Sequence, residues 1–167
     1  MIMERVGNKM KKKRVMFISS TGGHFVELMQ LKRLFKKYDY HIVTERTDNN
    51  VKLKDEYGKK ISYLIYGTKD HKFVYPFKLL ANCFLCLFIY IKFRPQYIVS
   101  TGAHVAGPMC LIGKIFGSKI IFIETFANMR TKTITGKLVY KFADLFIVQW
   151  KSMLKLYPNA KYFGGIF

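Results

Sequence analysis

Apolar and polar positions alternate along this chain with two different periods. Short, nearly continuous apolar runs predict strands at Arg14–Ser19, Tyr40–Thr44, Ile61–Tyr66, Gln96–Ser100, Lys119–Glu124, Leu145–Gln149 and Lys161–Phe163. Between them the pattern lengthens to helical spacing. His24–Lys37 sets Phe25, Leu28, Leu31, Leu34 and Phe35 on one face, and Phe73–Phe93, Val105–Phe116 and Thr135–Phe142 also read as helices. Asn49–Tyr57 is weakly helical and Ser152–Leu156 is a short helix. Pro95 marks the start of the fourth strand, and Gly117 suits a helix C-cap. Strands alternating with helices predict βαβ units, hence an α/β, Rossmann-like parallel sheet covered on both faces. Strands buried on both faces should be near-continuous apolar runs, as these are. No internal repeat or Pro- or Ser-rich linker interrupts the pattern. Residues 1–13 therefore read as a basic tail and 14–167 as one domain, with functional residues expected in loops after strand C-termini.

The helix over Phe73–Phe93 is apolar almost all round. About 13 uncharged residues, Leu79–Ile91, lie between Lys78 and Lys92, short of the roughly 20 needed to span a bilayer. A helix of this kind is either packed in a core or set shallowly into a membrane, and the sequence leaves both open. Phe77, Phe84, Leu85 and Phe88 are the residues expected at a membrane.

Charge adds a partner class. The chain carries 29 Lys and Arg against 10 Asp and Glu, a formal +19, which calls for an anionic surface or ligand. Arg5, Lys9, Lys11, Lys12, Lys13 and Arg14 form the densest cluster, read either as a solvated tail or as an arm on an anionic membrane. This segment does not read as a secretory leader, because the apolar run Val15–Ile18 is short and polar residues follow it. Nucleic acid is not the expected partner, since the aromatic residues sit in core-like runs rather than among the basic ones. The three cysteines, Cys83, Cys86 and Cys110, suit a reducing compartment and read as small hydrophobes. No metal site and no cofactor are expected.

Three loops carry candidate chemistry. Ser20, Thr21, Gly22, Gly23 and His24 link the first strand to the first helix, where glycines let backbone N–H groups approach an anion such as a diphosphate. His24 is either a structural histidine or a general base, the imidazole being suited to proton exchange near neutral pH. Thr101, Gly102, His104 and Gly107 repeat the arrangement after the fourth strand, as a second half of the cradle or as an ordinary turn. After the fifth strand comes Glu124, one of two acids beyond Asp70, either a second candidate base or a loop-holding group paired with Arg130. Glu45, after the second strand, lies where a dinucleotide-binding fold places the acid that holds a ribose. That keeps a soluble Rossmann-type nucleotide-binding enzyme as an alternative, although the first loop lacks the GxGxxG spacing.

Read in order, SSTGGHFVELMQL, IVSTGAHVAGPMCLIGKIFGSKIIFIETFA, TGKLVYKFADLFIVQW and YPNAKYFGGIF resemble the non-donor subunit of split GT-B glycosyltransferases. This bacterial polysaccharide-biosynthesis group is similar to the membrane-anchor subunit of the eukaryotic two-piece UDP-N-acetylglucosamine transferase of N-glycan assembly. More distantly it is similar to the N-terminal half of the transferase that makes lipid II. The resemblance implies the N-terminal half of a GT-B enzyme, binding a polyprenyl-diphosphate-linked sugar at the cytoplasmic face of the membrane, peripherally or shallowly inserted. A separate donor-binding chain would supply the UDP-sugar. In capsule and exopolysaccharide systems such subunits act beside a β-1,4-galactosyltransferase and enhance it. Ser20, Gly22, Gly23 and His24 then fall on the first glycine loop, Thr101, Gly102, His104 and Gly107 on the second, and Glu124 on the acid after the fifth strand. The chain is expected to act only with a partner, and to reach the membrane through 73–93 and its positive charge or through that partner.

Overall fold

The structure, a computed structural model, describes residues 12–67 and 75–166. Seven strands form one sheet: β1 (Arg14–Ser19), β2 (Asp39–Glu45), β3 (Ile61–Leu64), β4 (Tyr97–Gly102), β5 (Lys119–Ile123), β6 (Leu145–Val148) and β7 (Lys161–Tyr162). Their order is β3-β2-β1-β4-β5-β6-β7 and every pair is parallel. The α/β, Rossmann-like expectation holds, with each predicted strand present. Helices α1 (Gly23–Gln30), α2 (Leu53–Tyr57), α3 (Tyr75–Phe93), α4 (Ala106–Ile115) and α5 (Ile134–Val139) connect them. Residues 1–11, most of the predicted basic tail, and 73–74, the predicted start of the long helix, lie outside the described residues.

Period-two alternation along the strands makes two cores. Met16, Ile18, Val43, Ile98 and Ile120 face α3, α4 and α5, while Val15, Phe17, Ile42, Val99 and Ile123 face α1. Helix α4 lies flush on the sheet because Gly113 has no side chain there; a Cβ would strike Ile98 Cδ1. Gly117, in left-handed conformation (φ 86°), ends that helix as predicted.

Two helical boundaries differ from expectation. The predicted helix His24–Lys37 is α-helical only to Gln30 and continues as a 3-10 segment, Leu31–Lys37. Tighter winding turns Phe35 into the core against Phe17 and Tyr40, with ring centroids 4.7 and 4.6 Å away. Of Asn49–Tyr57 only Leu53–Tyr57 is an α-helix, because the Asn50 side chain instead takes the Thr47 N–H and donates to the Glu45 carbonyl.

Helix α3 has two faces. Cys86, Ile89 and Tyr90 are buried in the core, and Leu85 packs against it. Leu85 is thus corrected from a membrane-facing residue to a core-facing one. Phe77, Phe84 and Phe88 are 74%, 67% and 65% exposed, and Leu80 and Ile91 share their face. By length and composition alone, Pro76–Phe93 is apolar enough to cross a membrane. Its buried face shows instead that part of it belongs to the domain.

Candidate functional site

All strands point one way, so the loops after β1, β4, β5 and β6 gather at one edge of the sheet. The first two fuse. The Ser20 N–H donates to the Gly102 carbonyl (2.9 Å), and the Ala103 N–H donates to Ser20 Oγ (3.2 Å). Thr101 Oγ1 donates to the His24 carbonyl (2.7 Å), and His24 Nδ1 meets the Thr101 carbonyl at 2.9 Å. A carbonyl only accepts, so Nδ1 carries the proton and Nε2 is the acceptor nitrogen of the neutral ring. Gly102, at φ 94°, lies under this ring; a Cβ there would sit 3.2 Å from Nδ1.

The two predicted loops therefore meet, with their members divided by task. Ser20 and Thr101 are buried and spend their hydroxyls joining the loops. Gly22 (φ 73°) and Gly23 are exposed at the start of α1, where the N–H groups of the first turn lie. The Thr21 N–H donates to Glu45 Oε2 (3.3 Å), and the Gly67 N–H reaches Glu45 Oε1 (3.5 Å). Glu45 is buried and steadies the loop, so a carboxylate that would hold a ribose is already engaged. His104 is half-buried in the second loop. Gly107 is buried in α4, where it lines the apolar groove beside the second loop with Leu138 and Thr135.

The third loop is held from below. Glu124 is 2% exposed, and its carboxylate accepts from Tyr157 OH (2.6 Å), Thr133 Oγ1 (2.9 and 3.1 Å) and the Thr125 N–H (3.1 Å). Thr133 also caps α5 by accepting the Gly136 N–H. Burial, then the bond to Glu124, pushes the Tyr157 hydroxyl well above its ordinary pKa. Glu124 is thus the loop-holding group of the two expected readings, but its partners are Tyr157 and Thr133 rather than Arg130. With its oxygens engaged and buried, it shapes the loop rather than facing a substrate.

Glu27, absent from the expected site, is a second hub. It is buried on α1, one turn after His24. It accepts from Thr125 Oγ1 (2.7 Å), the Phe126 N–H (3.1 Å) and Gln149 Nε2 (3.0 Å). Gln149 also donates to the Glu124 carbonyl and accepts the Ile166 N–H, both at 3.0 Å. A signal for Glu27 was present: it falls four residues before Leu31 and seven before Leu34, an acid at core spacing.

Beside the second loop an apolar groove of about 520 Å³ runs from Ala103 and His104 past Pro108 and Ile134 to Leu79 and Cys83 on α3. It joins the loop edge to the half-buried side of that helix, at Leu79 and Cys83.

Comparison with known proteins converges on one family. The family described as "Oligosaccharide biosynthesis protein Alg14 like" matches residues 15–166. A human protein named UDP-N-acetylglucosamine transferase subunit ALG14 is 25% identical over 177 residues, covering 91% of this chain and 82% of the relative. Among solved structures, MurG of Acinetobacter baumannii superposes with a TM-score of 0.65 at 17% identity, over 84% of this chain and 42% of that one. A UDP-N-acetylglucosamine 2-epimerase of Rickettsia bellii gives 0.69 at 11% identity, over 93% and 45%. The chain thus spans less than half of these two structures, and at such identities the likeness is one of fold.

Proposed function

From the premise that this chain belongs to the Alg14-like family of oligosaccharide-biosynthesis proteins, we propose that it is the acceptor- and membrane-binding subunit of a heteromeric, inverting UDP-sugar glycosyltransferase. The acceptor is a sugar carried on a polyprenyl diphosphate at the cytoplasmic face of the membrane. The donor is bound by a separate chain, and the reaction occurs in the cleft between the two.

One observation carries this reading: two glycine loops are hydrogen-bonded into a single cradle with His24 seated between them. N–H groups at the start of α1 suit the diphosphate. The acceptor hydroxyl attacks the anomeric carbon of the donor and loses its proton to His24 Nε2, while the nucleotide diphosphate departs. The Thr101 carbonyl stabilises the imidazolium formed, as a second partner does for catalytic histidines generally. The apolar groove at His104 gives the start of the lipid chain a path to α3, whose exposed phenylalanines rest in the membrane interface. Resemblance in sequence supports a finer version, in which the subunit enhances a β-1,4-galactosyltransferase of capsule or exopolysaccharide assembly.

The test is purification of the chain from membranes with its partners, followed by sugar transfer to a lipid-diphosphate-linked acceptor. UDP-galactose and UDP-N-acetylglucosamine are offered separately, with and without the co-purifying subunit. Transfer that requires both chains supports the proposal; transfer by this chain alone overturns it.

A further inference from the structure

At the opposite edge of the sheet, where the strands begin, lies a cleft of about 630 Å³. Lys13 and Arg14 enter it from the start of β1, Arg94 from the end of α3 and Lys119 from the start of β5. No acid lines it. Lys119 is paired with Asp144 at 3.1 Å, but Asp144 is shared with Lys114, also at 3.1 Å, so one carboxylate faces two ammonium groups. Arg14 and Arg94 have no ion-pair partner among the described residues, although Asp39 is the register neighbour of Arg14.

The walls are fixed. Tyr90 OH meets Ser118 Oγ (2.8 Å), which donates to the Pro95 carbonyl (2.6 Å). Arg94 takes the left-handed position that ends α3 (φ 50°), where glycine is usual, and its N–H donates to the Tyr90 carbonyl at 2.6 Å. The rim carries exposed apolar side chains: Ile91 and Phe116 are 52% and 58% exposed. On the far side of the α3 ridge, Lys54, Lys59 and Lys92 line a second cleft whose wall includes Phe88.

We infer that the cleft of Lys13, Arg14, Arg94 and Lys119 binds the phosphate headgroup of an anionic phospholipid, whose acyl chains lie against Ile91 and Phe116. A basic cavity alone fits any phosphate. The exposed apolar rim is what selects a lipid, since a soluble anion gains nothing from it. The site rests on the membrane part of the proposed function and is separate from the acceptor cradle, which occupies the other edge of the sheet.

The test is co-sedimentation of the full chain with phosphatidylcholine vesicles, with and without phosphatidylglycerol. Phe84→Ser reads the membrane role of α3 independently of charge. Wild type is expected to prefer the acidic vesicles, and Arg14→Gln/Arg94→Gln to lose roughly 10- to 30-fold of that binding. The charge-matched control Lys32→Gln/Arg33→Gln, on the α1 side, is expected to lose about threefold or less. Thermal melts establish that each variant is folded, and the single variant Arg94→Gln repeats the comparison if the double does not fold. Equal losses in cleft and control variants overturn the site while leaving membrane binding intact. No vesicle binding by wild type, with Phe84→Ser no different, overturns the membrane reading itself. Displacement from acidic vesicles by equimolar inorganic phosphate or single-stranded DNA overturns the lipid assignment.

Discussion

Thr101 and His24 hold each other twice, through the Thr101 hydroxyl on the His24 carbonyl and the His24 ring on the Thr101 carbonyl. The two bonds join residues 77 positions apart and fix both the backbone and the ring of the residue proposed as the base.

His24→Ala in the two-subunit complex is expected to lower kcat by about 100-fold or more while changing KM little. Thr101→Val removes only the hydroxyl bond, worth ~1 kcal/mol, and should lower kcat about fivefold. Steady-state transfer assays distinguish the roles: a rise in KM with kcat unchanged in His24→Ala would make the imidazole a diphosphate ligand and remove it as the base.

Gly136 marks the tightest approach beneath the third loop. A Cβ there would collide with the Glu124 carboxylate and lie 2.6 Å from Tyr157 OH and 2.7 Å from Thr133 Oγ1. None of these groups can retreat without giving up a buried hydrogen bond. Gly136→Ala is therefore expected to destabilise the fold by about 2–4 kcal/mol, despite alanine's better helix propensity. Urea denaturation measures it, and a neutral or stabilising effect would show that the network yields easily.

His41 makes stability depend on pH. Its Nε2 meets Ser62 Oγ at 2.8 Å, and burial, then Lys54 and Lys92, hold its pKa down to about 4 from an ordinary 6.5, against the opposing pull of Asp39. Between these values the unfolded chain binds the proton and the folded chain does not, so stability falls as pH drops from 6.5 towards 4. Below that window this group adds no further loss. Chemical denaturation of wild type and His41→Gln across the range should give a shallower slope in the variant, and identical slopes would assign the acid sensitivity elsewhere.

The sheet was legible because its central strands are near-continuous apolar runs, a signal that needs no knowledge of neighbours. The two glycine loops were legible for a similar reason, since a strand, small residues and a helix start are all local. What joins them was not. The Thr101–His24 bonds span 77 positions and the Ala103–Ser20 bond spans 83, so neither partner marks the other in sequence. Leu85 was misplaced for a related reason. A helix apolar all round shows no preferred face, and only the positions of β3 and α4 decide which side is covered.

Parallel strands give the molecule a direction. Because all seven run the same way, the glycine loops and His24 collect where strands end, while Lys13, Arg14, Arg94 and Lys119 collect where strands begin. Four basic residues far apart in sequence are thereby brought to one pole of the sheet, and the glycine loops to the other. The two poles lie a full strand length apart, and no residue belongs to both. Damage at either edge should consequently complement damage at the other when two defective copies are supplied to one assembly that holds more than one of these subunits.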